Sequence, residues 1–279
     1  MSALLNEDWK TADALVTGPV TLRELITAVS MKRKGTVTKM LKAGTSAAGT
    51  HNDDSVLHRM ATHLRDPKLA TLAVAAGADV DATDEFGYTA LQLAIHHKKR
   101  DFAEALVAAG ASVDARMSAR PRNTALHLVC ETKSGEMTDA EADNARWLLE
   151  VGADPNLTND DGYTPLALAA QYARLEVVEA LFAHGAKTEA CDADYEPLYM
   201  AAGRDVDGLF ELLVARGSHL EGVSGNGERP LHAAASQSAG AVRRLLALGA
   251  DPGAQDHAGR TAREIAENHG RSDIARLLP

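Results

Sequence analysis

Seven glycines punctuate this chain at an almost constant interval: Gly44, Gly77, Gly110, Gly152, Gly185, Gly217 and Gly249. Each closes an apolar stretch patterned like a helix, and the successive steps are 33, 33, 42, 33, 32 and 32 residues. A period in this range marks stacked repeats that each touch only their neighbours, not a globule around one centre. A stack of this kind presents a long surface and encloses no deep pocket. The arrangement therefore suits the binding of another macromolecule.

The clearest repeat runs from Asn159 to Ala190. Asn159 and Gly162 are turn residues, glycine because it takes positive φ without a Cβ clash. Thr164 suits a helix N-cap, and Pro165 follows at the first helical position, where a missing N–H costs nothing. Leu166, Leu168, Ala169 and Ala170 make a short helix with a small-residue face. Leu175 to Phe182 makes a second helix, with Val177, Val178, Leu181 and Phe182 at helical spacing. Gly185 supplies a left-handed C-terminal cap. Helices this short do not hold in water alone, so each repeat must gain its core from the next.

This pattern resembles the ankyrin repeat. The helix opening recurs as Thr89-Ala90-Leu91-Gln92, Thr124-Ala125-Leu126-His127, Thr164-Pro165-Leu166-Ala167 and Arg229-Pro230-Leu231-His232. The helix ending recurs as Ala76-Gly77-Ala78-Asp79-Val80-Asp81, Val151-Gly152-Ala153-Asp154-Pro155-Asn156 and Leu248-Gly249-Ala250-Asp251-Pro252. The resemblance covers residues 21 to 278 in about eight repeats. It implies an all-α fold: a solenoid of stacked helix-turn-helix repeats whose β-turns project as fingers. It also implies that His58, His127 and His232, which share one helix-opening slot, brace neighbouring turns by hydrogen bonds.

The departures define the organisation. Leu4, Leu5, Trp9, Ala12, Leu15 and Val16 fall on one helical face, which predicts a capping helix over residues 1–20 ahead of a repeat domain over 21–279. The first repeat keeps a capping-box start in Thr21 and Glu24. The last reads Thr261-Ala262-Arg263-Glu264-Ile265-Ala266, with the polar outer face that a terminal repeat needs. The fourth repeat is nine residues longer than the usual 33, and the extra segment is expected between its helices at 131–137. That insertion is either tolerated drift or a partner contact. In the finger before Pro197, Asp194 stands where the turn glycine belongs and Glu196 where the threonine belongs.

Charge is uneven. The whole chain carries a formal −10, residues 1–50 carry +3, and residues 131–221 carry −13. An acidic stretch of that size disfavours nucleic acid and favours a basic partner, or serves solubility alone. Cys130 and Cys191 lie too far apart for a metal-binding or disulfide pattern. Asn6, Glu7 and Asp8 interrupt any apolar leader, and no apolar run reaches membrane-spanning length, so the expected location is cytoplasmic with no membrane contact.

Tests for catalysis find structural alternatives. His51, His58 and His63 cluster, but at a spacing that matches no zinc signature. His96-His97-Lys98-Lys99-Arg100 reads as a solvated basic loop. Asp84-Glu85 and Asp160-Asp161 recur at a turn, so they read as turn residues before they read as an acid pair or calcium ligands. No phosphate-binding glycine loop and no nucleophile elbow is present. The expectation is a non-enzyme with no cofactor and no metal.

If the resemblance holds, partners dock along the fingers and the exposed face of each first helix. Tyr88, Tyr163 and Tyr195 share one finger position, and Phe86 joins the first of them. Each tyrosine either contacts a partner or packs on the next finger. Acidic residues stand beside them (Glu85, Asp160, Asp161 and Asp194), and a neighbouring finger is basic through Arg120 and Arg122. The expected activity is a monomeric adaptor or inhibitor that binds a protein with a basic patch, in one form an acidic immunity protein sequestering a basic toxin or enzyme. The alternatives are an effector or scaffold recruiting host proteins, and a metal-dependent enzyme.

Overall fold

The computed structural model describes residues 20–51, 54–64, 66–131, 139–172, 174–190 and 196–279. The expected capping helix, the 131–137 insertion (except Glu131), Cys191, Asp194 and Tyr195 lie outside the described residues. The chain divides into two compact units, Met1–Ala125 and Leu126–Pro279.

The first unit holds three helix pairs: α1 (Leu22–Ser30) with α2 (Lys34–Lys42), α3 (Val56–His63) with α4 (Pro67–Ala75), and α5 (Ala90–His96) with α6 (Arg100–Ala108). First helices pack on first helices and second on second, α1 on α3 on α5 and α2 on α4 on α6. The second unit holds α7 (Ala125–Cys130), which begins at the boundary, with α8 (Asp139–Glu150), and α9 (Pro165–Gln171) with α10 (Leu175–Ala183). It continues with α11 (Pro197–Ala201) and α12 (Leu209–Ala215), α13 (Pro230–Ala235) and α14 (Ala239–Ala247), then α15 (Ala262–Asn268) and α16 (Ser272–Ala275). Each unit is thus a stack of paired short helices, as the repeat resemblance implies. The only strands among the described residues are the two-residue pair β1 (Thr50–His51) and β2 (Asp54–Ser55), joined antiparallel.

The caps are those the residue types dictate. Thr21 Oγ1 accepts from the Glu24 N–H while the Glu24 carboxylate accepts from the Thr21 N–H at 2.9 Å. Thr164 Oγ1 accepts from the Ala167 N–H at 3.2 Å ahead of Pro165. Gly185 sits at φ 87° after α10. The core is made of small and branched residues from successive repeats: Leu57, Leu91 and Leu106 in the first unit, and Leu166, Val178 and Leu231 in the second, are all buried.

Two kinds of tie recur between repeats at a separation near the repeat length. In one, an acidic or amide side chain accepts from a main-chain N–H one repeat on: Asp81 from Ser112 at 3.0 Å, Asn156 from Lys187 at 2.9 Å, and Glu221 from Asp251 at 2.9 Å. In the other, the third residue of a first helix (His58, Gln92, His127, Tyr199 or His232) reaches the next finger, as described below.

The fourth repeat's extra length is shared between two places. The 84–88 turn closes with Asp84 N–H donating to Tyr88 O, whereas the equivalent basic finger closes from Met117 N–H to Asn123 O. That finger is two residues longer, so two of the nine extra residues belong to its tip and not to the segment between the helices.

The two fingers touch. Ser118 N–H donates to Gly87 O at 3.0 Å, and a Cβ on Gly87 would stand 2.5 Å from the Ala119 nitrogen. Gly87 is also at φ 85°. Gly87→Ala is expected to destabilise by about 1–3 kcal/mol through strain and crowding. Gly35→Ala, in α2 with open space around it, is expected to stabilise by up to about 1 kcal/mol. Urea unfolding of the two variants checks the opposite signs.

Candidate protein-binding surface

In three fingers one polar residue closes the turn. Asp84 Oδ1 accepts from the Phe86 N–H at 3.0 Å and the Tyr88 N–H at 2.8 Å. Asn159 Oδ1 accepts from Asp161 at 3.1 Å and Tyr163 at 3.0 Å, and Asp256 Oδ1 from Ala258 at 2.9 Å and Arg260 at 2.8 Å. A left-handed glycine follows in each: Gly87, Gly162 and Gly259. Asp84 is therefore a structural turn residue, not half of an acid pair, and Glu85 and Phe86 after it are the exposed side chains.

Four fingers are then braced from the preceding repeat through a main-chain oxygen. His58 Nε2 donates to Tyr88 O at 2.9 Å, and its Nδ1 accepts from the Ser55 N–H at 3.2 Å. A main-chain N–H can only donate, so this pairing fixes a neutral ring protonated at Nε2. His232 repeats the arrangement, with Nδ1 accepting from the Arg229 N–H at 3.1 Å and Nε2 donating to Arg260 O at 3.1 Å. His127 Nε2 donates to Tyr163 O at 3.1 Å. Gln92 performs the same task with an amide: Oε1 accepts from the Thr89 N–H at 2.9 Å and Nε2 donates to Asn123 O at 3.0 Å. Tyr199 holds this slot in the sixth repeat and donates instead to the Glu228 carboxylate at 2.8 Å. The three histidines are bracing residues, as the resemblance implies.

In the first unit Glu85, Phe86 and Tyr88 stand on one finger and Arg120 and Arg122 on the next, joined through the Ser118–Gly87 hydrogen bond. Glu85, Arg120 and Arg122 are exposed, Tyr88 is half-buried, and Phe86 is 66% exposed. Its ring is the most exposed of the three exposed large apolar side chains among the described residues. In the second unit Asp160 and Tyr163 are half-buried and Asp161 is exposed on one finger. The structure thus gives two finger groups, one per unit.

Sequence reading missed a concavity of about 520 Å³ in the second unit. Gln171, Tyr199, Arg204, Glu228, Gln237 and His269 are among its lining residues. Most of these stand seven or eight residues after successive helix caps, a periodicity visible in the sequence once the caps are aligned. The Tyr199–Glu228 bond and an Arg260–Glu228 ion pair at 3.6 Å bound it on the finger side. Among the described residues, no group of three His, Cys, Asp or Glu side chains could hold a metal ion. His58 of the suspected histidine cluster is committed to its brace. Burial drives the Cys130 thiol far above its ordinary range, so this cysteine is a core residue. No helix of the described residues is long and apolar enough to cross a membrane.

The family model described as "Ankyrin repeats (3 copies)" matches residues 112–192 and 139–221. The model described as "Ankyrin repeat" matches 86–118 and 226–257. Together these cover more than half of the chain. Among curated proteins, the chain is 32% identical over 153 residues to neurogenic locus notch homolog protein 1 of Danio rerio, covering 53% of this chain and 6% of that protein. It is 29% identical over 160 residues to the B-cell lymphoma 3 protein homolog of Mus musculus, covering 56% and 35%. It is 31% identical over 175 residues to ankyrin repeat and SOCS box protein 16 of Mus musculus, covering 59% and 36%. The matches thus span little more than half of this chain and about a third or less of each relative.

Burial holds the His58 imidazole below its ordinary range, against the opposing pull of Asp84 and Asp54. The folded state therefore resists the proton, and the brace's stability is complete above about pH 6.5 and declines as pH falls below it. His58→Gln should fold, because Gln92 already makes the same pair of bonds one repeat on. Melting temperatures between about pH 7.5 and 5.5 should fall less steeply in the variant than in the parent chain. Equal slopes would remove His58 as a source of acid sensitivity.

Proposed function

This chain belongs to the ankyrin repeat family, a family of protein–protein interaction modules, and we propose that it is an adaptor or inhibitor that binds a basic protein through its fingers and acts by occlusion. The observation that carries this reading is Phe86, two-thirds exposed on a turn whose Asp84, Phe86, Gly87 and Tyr88 N–H groups all donate within the molecule. A large apolar ring held in water on a backbone that cannot relax loses little entropy when a partner covers it. Tyr88 extends the apolar contact, while Glu85 and the −13 stretch over 131–221 attract a cationic partner and speed its arrival. The Arg120–Arg122 tip beside Phe86 sets the register of docking, since it would meet an acidic spot inside the partner's basic patch. The favoured form is sequestration of a basic toxin or enzyme by a chain that is monomeric until it binds.

Capture from native lysate followed by mass spectrometry should recover a partner of high isoelectric point. Phe86→Ala and Tyr88→Ala should each weaken that complex by about tenfold or more without lowering the melting temperature, since neither side chain is in the core. Charge reversal at Glu85 and Asp161 should slow association and leave dissociation nearly unchanged. An acidic partner, or a complex indifferent to Phe86 and Tyr88, would sink the reading. A partner that keeps its activity when bound would identify an adaptor, and one that loses it an inhibitor.

A further inference from the structure

We propose that the loops joining α1 to α2 and α5 to α6 in the first unit provide a second, cationic docking edge, and that it takes an acidic polypeptide segment. The loop between α1 and α2 presents Met31, Lys32, Arg33 and Lys34, all exposed. The loop between α5 and α6 presents His96, His97 and Lys98 exposed and Lys99 and Arg100 half-buried. The two loops are homologous, 66 residues and two repeats apart, so Lys32 corresponds to Lys98 and Met31 to His97.

The backbone marks the same two lysines. Lys32 sits at φ 58° and Lys98 at φ 55°, the left-handed region that side chains disfavour. The last repeat fills the corresponding slot with Gly270 at φ 70°. Stability alone favours glycine there. The first unit instead holds a strained lysine at this slot in both loops, and both lysines are exposed.

Beside Lys98 the surface is concave, with about 520 Å³ lined by His97, Lys98, Lys99, Arg100, Asp101 and Phe102. Local pairings hold the two loops. Lys34 pairs with Asp66 at 2.6 Å, Arg100 with Glu104 at 2.9 Å, and Lys99 Nζ donates to Ala61 O at 2.5 Å. Burial, and after it the neighbouring His96, Lys99 and His63, keeps the His97 imidazole below its ordinary range.

Three features select a polypeptide over a phosphate polymer or an anionic membrane. Asp66, Asp101 and Glu104 interrupt the cations, where a phosphate backbone needs an unbroken run. Met31, 45% exposed, adds an apolar contact that suits side chains and not phosphates. The chain's net charge of −10 repels any extended polyanion that reaches beyond the loops, whereas a short acidic segment stays within them. This edge is separate from the finger surface and does not depend on the function proposed for it.

The test uses the full chain and a fluorescent peptide of about 16 residues alternating Glu and Ser, with an oligonucleotide and phosphatidylserine vesicles as rival probes. The peptide should bind saturably at low salt and weaken about tenfold toward about 0.3 M salt. Lys32→Glu with Lys98→Glu should weaken it about tenfold, and Lys32→Gly with Lys98→Gly should weaken it while raising the melting temperature. Phe86→Ala should leave peptide binding unchanged, which separates this edge from the fingers. Absence of saturable peptide binding, indifference to both lysine pairs, loss of binding in Phe86→Ala, or tighter lysine-dependent binding of the oligonucleotide or vesicles would each overturn the proposal.

Discussion

The register of these stacks is keyed by a hydrogen bond that His58, Gln92, His127 and His232, each the third residue of a first helix, make to the finger of the next repeat. Helices of five to nine residues, as most here are, have no independent stability, and apolar packing between them is tolerant of small slips. A ring or amide that must meet a particular carbonyl is not tolerant. His58, Gln92 and His232 each bridge their own cap and the following turn, and His127 reaches the following turn, so a buried side chain sets the register of an exposed loop. Burial makes each of these bonds matter, since a carbonyl left without a partner there would lose water as well.

The architecture was legible in the sequence because its determinants are local. Glycine spacing, the Thr164-Pro165-Leu166 opening and the capping box of Thr21 and Glu24 are chemical instructions a few residues long, and each is carried out. The brace itself was readable only where the residue is histidine. Gln92 and Tyr199 make the same connection with different groups, and no propensity links a glutamine and a tyrosine to one role until the caps are aligned. The division of the fourth repeat's extra residues between a finger tip and the segment after α7 is likewise invisible to the glycine count, which registers only the total.

The surface was legible in part. The finger positions of Glu85, Phe86, Tyr88, Arg120 and Arg122 follow from the repeat, but their adjacency follows from a contact between Gly87 and Ser118 that no local pattern announces. The groove of the second unit was missed for the complementary reason: its lining is scattered over four repeats, from Gln171 to His269, and no single segment looks like a site. The turn that carries Glu85, Phe86 and Tyr88 is held by its own main-chain bonds and by Asp84, not by the side chains it exposes.

Tyr199 is the exception to that division. His58, Gln92, His127 and His232 each brace the next finger through a main-chain oxygen, which survives any substitution of the acceptor residue. The bond from Tyr199 ends on the Glu228 side chain, and Glu228 in turn meets Arg260. That junction is encoded at both ends, so related chains can keep it, swap it or lose it one residue at a time. This joint between neighbouring repeats is open to retuning by mutation at either end, whereas the His127 and His232 braces end on the peptide chain itself.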